Sequence, residues 1–231
     1  MAKKKHEIEP TKIEKNVGEI LSKTDVFVDK YLKQTIIAVV AVILIVVGIF
    51  AFRHYYILPK AGEAQTAIAQ AQNYFESQQW DLALNGDSIG AIGFLELIDE
   101  YSGTSAANLA QAYAGICEYN LKNYESALMH FKKYKGKDQL FSAEIIGAIG
   151  DCEANLGNLE AAAKQFEKAA VQINSSFLSP MYWNKAGVIY NRLGDYKKAL
   201  SAFQTIKTKY PQSQEAMSVD KYIEQAKAAL K

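Results

Sequence analysis

Proline, cysteine and histidine are all scarce in this chain, with 4, 2 and 3 of each in 231 residues. So little proline leaves long stretches free for helix, because each proline removes a backbone donor and breaks a helical interior. The histidines, His6, His54 and His130, fall in three separate regions, so no metal-ligand set forms around them and neither metal nor cofactor is expected. Net charge is also nearly absent, at +1, which excludes the clustered basic footprint that nucleic-acid binding needs. No GxxxxGK phosphate loop and no Gly-x-Ser-x-Gly nucleophile elbow occurs. Composition therefore points to a helical protein that is not an enzyme.

One long hydrophobic run is present. From Thr35 to Phe52 the sequence reads TIIAVVAVILIVVGIFAF, eighteen residues without a charge. At 1.5 Å rise per residue a helix of that length spans roughly 27 Å, close to the thickness of a bilayer's hydrocarbon core. Thirteen of its residues are Leu, Ile, Val or Phe, which favours insertion by roughly 4 to 8 kcal/mol. A buried core helix would rarely be apolar on every face in so small a domain. A cleaved signal would carry a shorter apolar region behind a short basic start, whereas thirty-four residues precede this run. An uncleaved membrane anchor fits best.

Charge is distributed unevenly about the run. Residues 1–34 hold eight lysines against six acids, and residues 53–231 hold eighteen Lys or Arg against nineteen acids. Near the ends of the run, Lys15, Lys23, Lys30 and Lys33 precede it and Arg53 and Lys60 follow it. The positive-inside rule then sets residues 1–34 as a cytoplasmic basic segment and everything after Phe52 on the far side. Tyr55 and Tyr56 suit the far headgroup belt. Ile13, Val17, Ile20 and Leu21 suggest a short amphipathic helix after Pro10 and Thr11, for the bilayer surface or a cytoplasmic partner; a solvated tail that only fixes topology is the alternative.

Beyond residue 60 the chain repeats itself. Three segments align without gaps: AGICEYNLKNYESALMHF from Ala114, IGDCEANLGNLEAAAKQF from Ile149 and AGVIYNRLGDYKKALSAF from Ala186. Their phase is set by Gly115, Gly150 and Gly187, by Ala127, Ala162 and Ala199, and by Phe131, Phe166 and Phe203. Small residues let paired helices approach and rings fill the gaps between them. Upstream, Tyr74, Trp80 and Ala83 keep the same phase until NGDSIGAIG interrupts it, and Phe94, Leu95, Ile98 and Tyr101 resume an apolar stripe. Residues 53–107 thus read as a linker and an irregular first repeat with an insertion, residues 108–213 as three regular repeats, and residues 214–231 as a capping helix.

These segments resemble tetratricopeptide repeats. The third copy supplies Trp183, Gly187, Tyr190, Ala199, Phe203 and Pro211, with Ala186 where Leu is usual. Glu118 and Glu153 stand where the first-helix tyrosine is expected, which should loosen those helix pairs. The fold class implied is all-α: a single N-terminal transmembrane helix followed by a helix-pair solenoid. Cys117 and Cys152 occupy equivalent places in adjacent repeats. They read as small core side chains, because helices some 8 to 10 Å apart hold alpha carbons too far apart for most disulfides; a disulfide, a redox role or a metal site is the alternative.

In tetratricopeptide proteins the first helices of successive repeats line a protein-binding groove. Carried over by offset, the groove residues are Leu109, Ala112, Ile116, Tyr119 and Asn120, then Glu144, Asp151 and Asn155, then Met181, Lys185, Val188, Asn191 and Arg192. The family's clamp for a chaperone-tail carboxylate needs lysine, asparagine and arginine at several of these offsets, and Ala112 and Ile116 occupy two of them. An extended or helical peptide with hydrophobic anchors is the better ligand class.

The whole arrangement, with ALNGDSIGAIGFLELIDEYSGTSAANLAQAYAGI and NRLGDYKKALSAFQTIKTKYP, resembles the YfgM family of bacterial inner-membrane proteins. That resemblance implies association with the SecYEG translocon and the membrane-anchored periplasmic chaperone PpiD, contact with unfolded secreted chains, and a periplasmic repeat domain. A general cell-envelope assembly scaffold and a cysteine-dependent redox protein are the other readings.

Overall fold

The structure, a computed structural model, describes the backbone of residues 12–231 and the side chains of residues 31–231. His6 and the side chains of Lys15, Lys23, Lys30 and the expected amphipathic stretch lie outside what is described. The chain divides into two compact units, Met1–Tyr56 and Ile57–Lys231.

The first unit is built on α1, Lys12–Phe52. The amphipathic stretch expected after Thr11 and the apolar run therefore belong to the same helix. From Tyr31 onward its described side chains are exposed, including Ile37, Leu44 and Phe50. Among the described residues one helix is long and apolar enough to cross a membrane, and none of its most apolar stretch is buried. At Arg53–Ile57 the backbone widens into a π turn, and the Phe52 and Tyr56 rings stack with centroids 5.1 Å apart.

The second unit begins with α2 (Leu58–Glu76), α3 (Trp80–Asn85) and α4 (Phe94–Glu100). Three helix pairs follow: α5 (Ser105–Asn120) with α6 (Tyr124–Lys133), α7 (Gln139–Asn155) with α8 (Leu159–Ile173), and α9 (Leu178–Arg192) with α10 (Tyr196–Lys209). A 3-10 turn at Glu215–Met217 leads into α11, Val219–Ala229. Packing runs from each helix to its neighbours along the chain, as in a solenoid, where each repeat rests on the next. The fold is an all-α tetratricopeptide-type stack, and its only strand-like feature among the described residues is the bridge between Gly86 and Ile92.

One turn is used four times. Gln78, Lys122, Gly157 and Gly194 stand at the same offset after the first helix of their repeats, and all have positive φ, of 58°, 66°, 82° and 76°. In each, the following N–H reaches back across the turn: Gln79 to the Tyr74 carbonyl, Asn123 to Glu118, Asn158 to Glu153 and Asp195 to Tyr190, at 2.8 to 2.9 Å. A left-handed residue there closes the helix end and satisfies carbonyls that the helix leaves unpaired. The same turn geometry at Gln78 joins α2 to α3.

The repeat phase rests on close packing of a glycine against a ring. A Cβ on Gly115, Gly150 or Gly187 would come within 2.6, 2.8 and 2.6 Å of Phe131, Phe166 and Phe203 respectively. All three rings are buried, each removing enough apolar surface from water to stabilise the pair by about 1.5–3 kcal/mol. In the irregular repeat the insertion displaces this arrangement. Phe94 fills the space instead, stacked on Tyr113 at 5.2 Å with an interplanar angle of 11°, and Phe75 meets the edge of Tyr113 at 4.8 Å. The insertion is itself held: Asp87 accepts from the N–H groups of Ile89 and Ala91 at 2.9 Å and from the Tyr74 hydroxyl.

The acidic substitutions do not leave the pairs loose. Glu118 and Glu153 are buried, and each accepts from the asparagine of its own turn, Asn123 Nδ2 at 2.8 Å and Asn158 Nδ2 at 2.9 Å. Lys132 adds a contact to Glu153 at 3.3 Å. The third repeat has Tyr190 at that place, donating to Glu167 at 3.0 Å. The expected loosening is thus corrected: each glutamate ties its helix to its own turn, whereas the tyrosine ties α9 to α8.

α11 covers the last pair. Val219, Ile223 and Ala226 are buried, and Tyr222 stacks on Phe203 at 5.1 Å.

Candidate protein-binding groove

The groove residues sit on the first helices of three consecutive pairs, α5, α7 and α9. Side-chain caps set where two of these helices start. Thr104 Oγ1 accepts from Ala107 N–H at 3.1 Å ahead of α5, and Asp138 Oδ1 accepts from Phe141 N–H at 2.7 Å ahead of α7. Each cap satisfies a backbone donor the first turn cannot.

A chain of contacts links the three helices. Tyr119 on α5 accepts from Asn155 Nδ2 on α7 at 3.5 Å, and Asn155 also donates to the Asp151 carbonyl at 2.8 Å. Lys185 on α9 then reaches both Asp151 oxygens, at 2.8 and 2.9 Å. The same ammonium lies 5.1 Å from the centroid of Phe166 and 6.0 Å from that of Tyr182, where ring quadrupoles favour a cation. Four of the residues expected from sequence, Tyr119, Asp151, Asn155 and Lys185, are therefore joined on one face.

Other residues of the expected set are placed differently. Ala112 is buried with no exposed surface, in the cluster with Ala127, Phe131 and Ile145; it is a core residue, a correction that follows from its packing among side chains of α6 and α7. Leu109 packs on the α2–α5 cluster and Ile116 on the Phe131 cluster, both half-buried. Asn120 is exposed and donates to its own helix at the Ile116 carbonyl, 2.8 Å away. Glu144, Val188 and Arg192 are exposed and Asn191 half-buried. Met181 faces another site, a cavity of about 620 Å³ shared with Phe177, Leu178, Tyr210 and Pro211. Sequence reasoning missed Phe177, which is 81% exposed at the start of α9. It belongs to a turn that no repeat offset describes.

Burial, and secondarily Asp151, raises the pKa of Tyr119. Burial with Glu144 and Asp151 pushes Tyr182 up to about 12. Both phenols are neutral donors and acceptors at neutral pH. The cysteines are free and buried, in separate clusters. Burial, reinforced by neighbouring acids, pushes each thiol up to about 12, so the nucleophilic thiolate is scarce at neutral pH. Among the described residues no group of three His, Cys, Asp or Glu side chains could hold a metal ion.

The tetratricopeptide repeat family matches over residues 185–213, which contain the end of α9 and all of α10. No curated protein matches the chain. The repeat is a module for protein–protein interaction, and this chain contains it.

Proposed function

We propose that this protein is a membrane-anchored scaffold whose repeat stack grips other proteins through the face of α5, α7 and α9, and that it catalyses no reaction of its own. The observation that carries the reading is the contact chain from Tyr119 through Asn155 and Asp151 to Lys185. It pre-organises an open face with half-buried and exposed apolar positions, Ile116 and Val188, beside polar ones. Such a face suits a peptide with hydrophobic anchors and backbone amides to satisfy.

The exposed apolar helix supports the anchor, since a water-facing stretch with Ile37, Leu44 and Phe50 on its surface would cost far more than the same stretch in hydrocarbon. The lysine asymmetry about it favours a cytoplasmic start and a periplasmic repeat domain in a bacterial inner membrane. The resemblance to the YfgM family extends the reading to an ancillary role at the SecYEG translocon, with a PpiD-like chaperone or emerging secreted chains on the groove.

The test is a photo-crosslinking amino acid at Asn155 or Val188 in the full chain in cells. Translocon subunits or the periplasmic chaperone are the expected products, and capture of neither would refute the export reading. Protease added from the periplasmic side should digest the repeats; intact repeats would reverse the topology.

A further inference from the structure

The end of α6 carries Lys132 and Lys133, and the loop that leads from it to α7 carries Lys135 and Lys137. It is a built loop. Asn108 on α5 holds the backbone of Lys135 on both sides, with Lys135 N–H donating to Asn108 Oδ1 at 2.9 Å and Asn108 Nδ2 donating to the Lys135 carbonyl at 3.2 Å. Tyr134 meets the edge of Phe141 at 5.5 Å. A Cβ on Gly136 would lie 2.2 Å from the Tyr134 hydroxyl, so a larger residue there would have to displace that ring.

Two clefts flank the loop and share Lys135. One, of about 410 Å³, is lined by Lys132, Lys135 and Lys168 with half-buried Ile146 and the edges of the core residues Ile145 and Ile149. The other, of about 350 Å³, has Lys133 and Lys135 beside Asn108 and Gln111. No carboxylate lines either cleft. Lys132 is paired with Glu153, but among the described residues Lys133, Lys135 and Lys168 have no ion pair. Asp138, the nearest acid in sequence, is used as the cap of α7. No residue of the α5–α7–α9 face lines these clefts.

We infer that this lysine-rimmed pair of clefts is a second docking surface, whose occupant is an acidic, amphipathic peptide segment of a partner protein. Charge complementarity selects the acid: unpaired ammonium groups clustered on one surface attract carboxylates and repel basic segments. Half-buried Ile146 among the cleft's lining residues favours a peptide over a lipid surface, because an apolar contact between lysines suits a side chain, whereas headgroups need only a basic face.

The experiment uses the full chain in phosphatidylcholine nanodiscs and a fluorescein-labelled peptide of alternating glutamate and leucine, read by anisotropy. The glutamate peptide should bind, and its glutamine counterpart at least about tenfold more weakly. Lys135→Glu and Lys168→Glu should each weaken binding about tenfold, and Lys135→Gln and Lys168→Gln more mildly, with melting curves showing that the variants fold. Equal binding of the two peptides, no binding at all, or binding lost with Lys185→Ala but kept in Lys135→Glu and Lys168→Glu would overturn the proposal. Acetylation of Lys135 and Lys168 should fall when the peptide is added. If it falls instead when phosphatidylglycerol replaces phosphatidylcholine without peptide, the surface binds lipid and the proposal fails.

Discussion

Lys185 crosses from α9 to α7 to place its ammonium 2.8 and 2.9 Å from the two carboxylate oxygens of Asp151. Both side chains remain partly open to solvent, at 38% and 32%. Exposed pairs of this kind contribute about 0.2–1 kcal/mol once screening and side-chain entropy are counted. Lys185→Ala and Asp151→Ala should therefore each cost less than about 1 kcal/mol, with a positive coupling in a double-mutant cycle measured by urea denaturation. A cost several times larger would mean the pair is structural, and the face would no longer be free to serve a ligand.

Glycine at position 187 is demanded by Phe203. Because a Cβ would meet that buried ring at 2.6 Å, Gly187→Ala should destabilise by about 1–3 kcal/mol, the usual cost of overpacking. Combining it with Phe203→Leu should recover part of the loss. Thermal melts followed by circular dichroism read both, and an unchanged midpoint in Gly187→Ala would show that the ring moves aside freely.

The turn at Lys122 holds a lysine in the left-handed region, at φ 66°, where the equivalent residues of the next two repeats are glycine. A non-glycine residue there carries about 1–2 kcal/mol of strain, partly offset by glycine's larger entropy in the unfolded chain. Lys122→Gly should raise stability by about 0.5–1 kcal/mol, seen as a higher denaturation midpoint with an unchanged slope.

Buried Glu153 accepts from Asn158 at 2.9 Å. Asn158→Ala removes a donor from a carboxylate that stays buried, at a cost of about 1–3 kcal/mol. The double variant Glu153→Leu with Asn158→Ala should lie closer to the parent than Asn158→Ala alone, since no buried charge is left short of partners. If the two substitutions were simply additive, the hydrogen bond would have no role in holding the turn.

His130 is buried with its Nδ1 2.8 Å from Gln111 Oε1. Burial lowers its pKa below 6.5, with Lys133 adding to the effect and Glu118 opposing it. As pH falls through about 6.5 the unfolded chain takes up this proton before the folded one, so the histidine's contribution to stability is complete above that pH and declines below it. Replacing it by glutamine should flatten the fall in melting temperature between about pH 7.5 and 5. An identical pH profile in the variant would place the acid sensitivity elsewhere.

Much of this molecule was legible in one dimension. An uninterrupted apolar run is readable because its residues are contiguous in sequence, and the structure carries all of them in one helix. Gly115, Gly150 and Gly187 with Phe131, Phe166 and Phe203 were readable because each repeat packs mainly on its own neighbours, which turns contacts in space into fixed spacings along the chain. Tertiary structure alone decided the rest. Ala112 went to the core instead of the groove, since the offset that names a helix face does not say how deeply that face is covered. Glu118 and Glu153, which look like flaws in a repeat pattern, became buried acceptors once a turn brought Asn123 and Asn158 to them. The chain from Tyr119 to Lys185 crosses three helices, and the lysine-rimmed clefts are closed by residues as distant in sequence as Asn108 and Lys168. A spacing rule sees only residues within one repeat; which long side chains meet between repeats depends on how successive helix pairs are set against each other, and only the folded chain decides that.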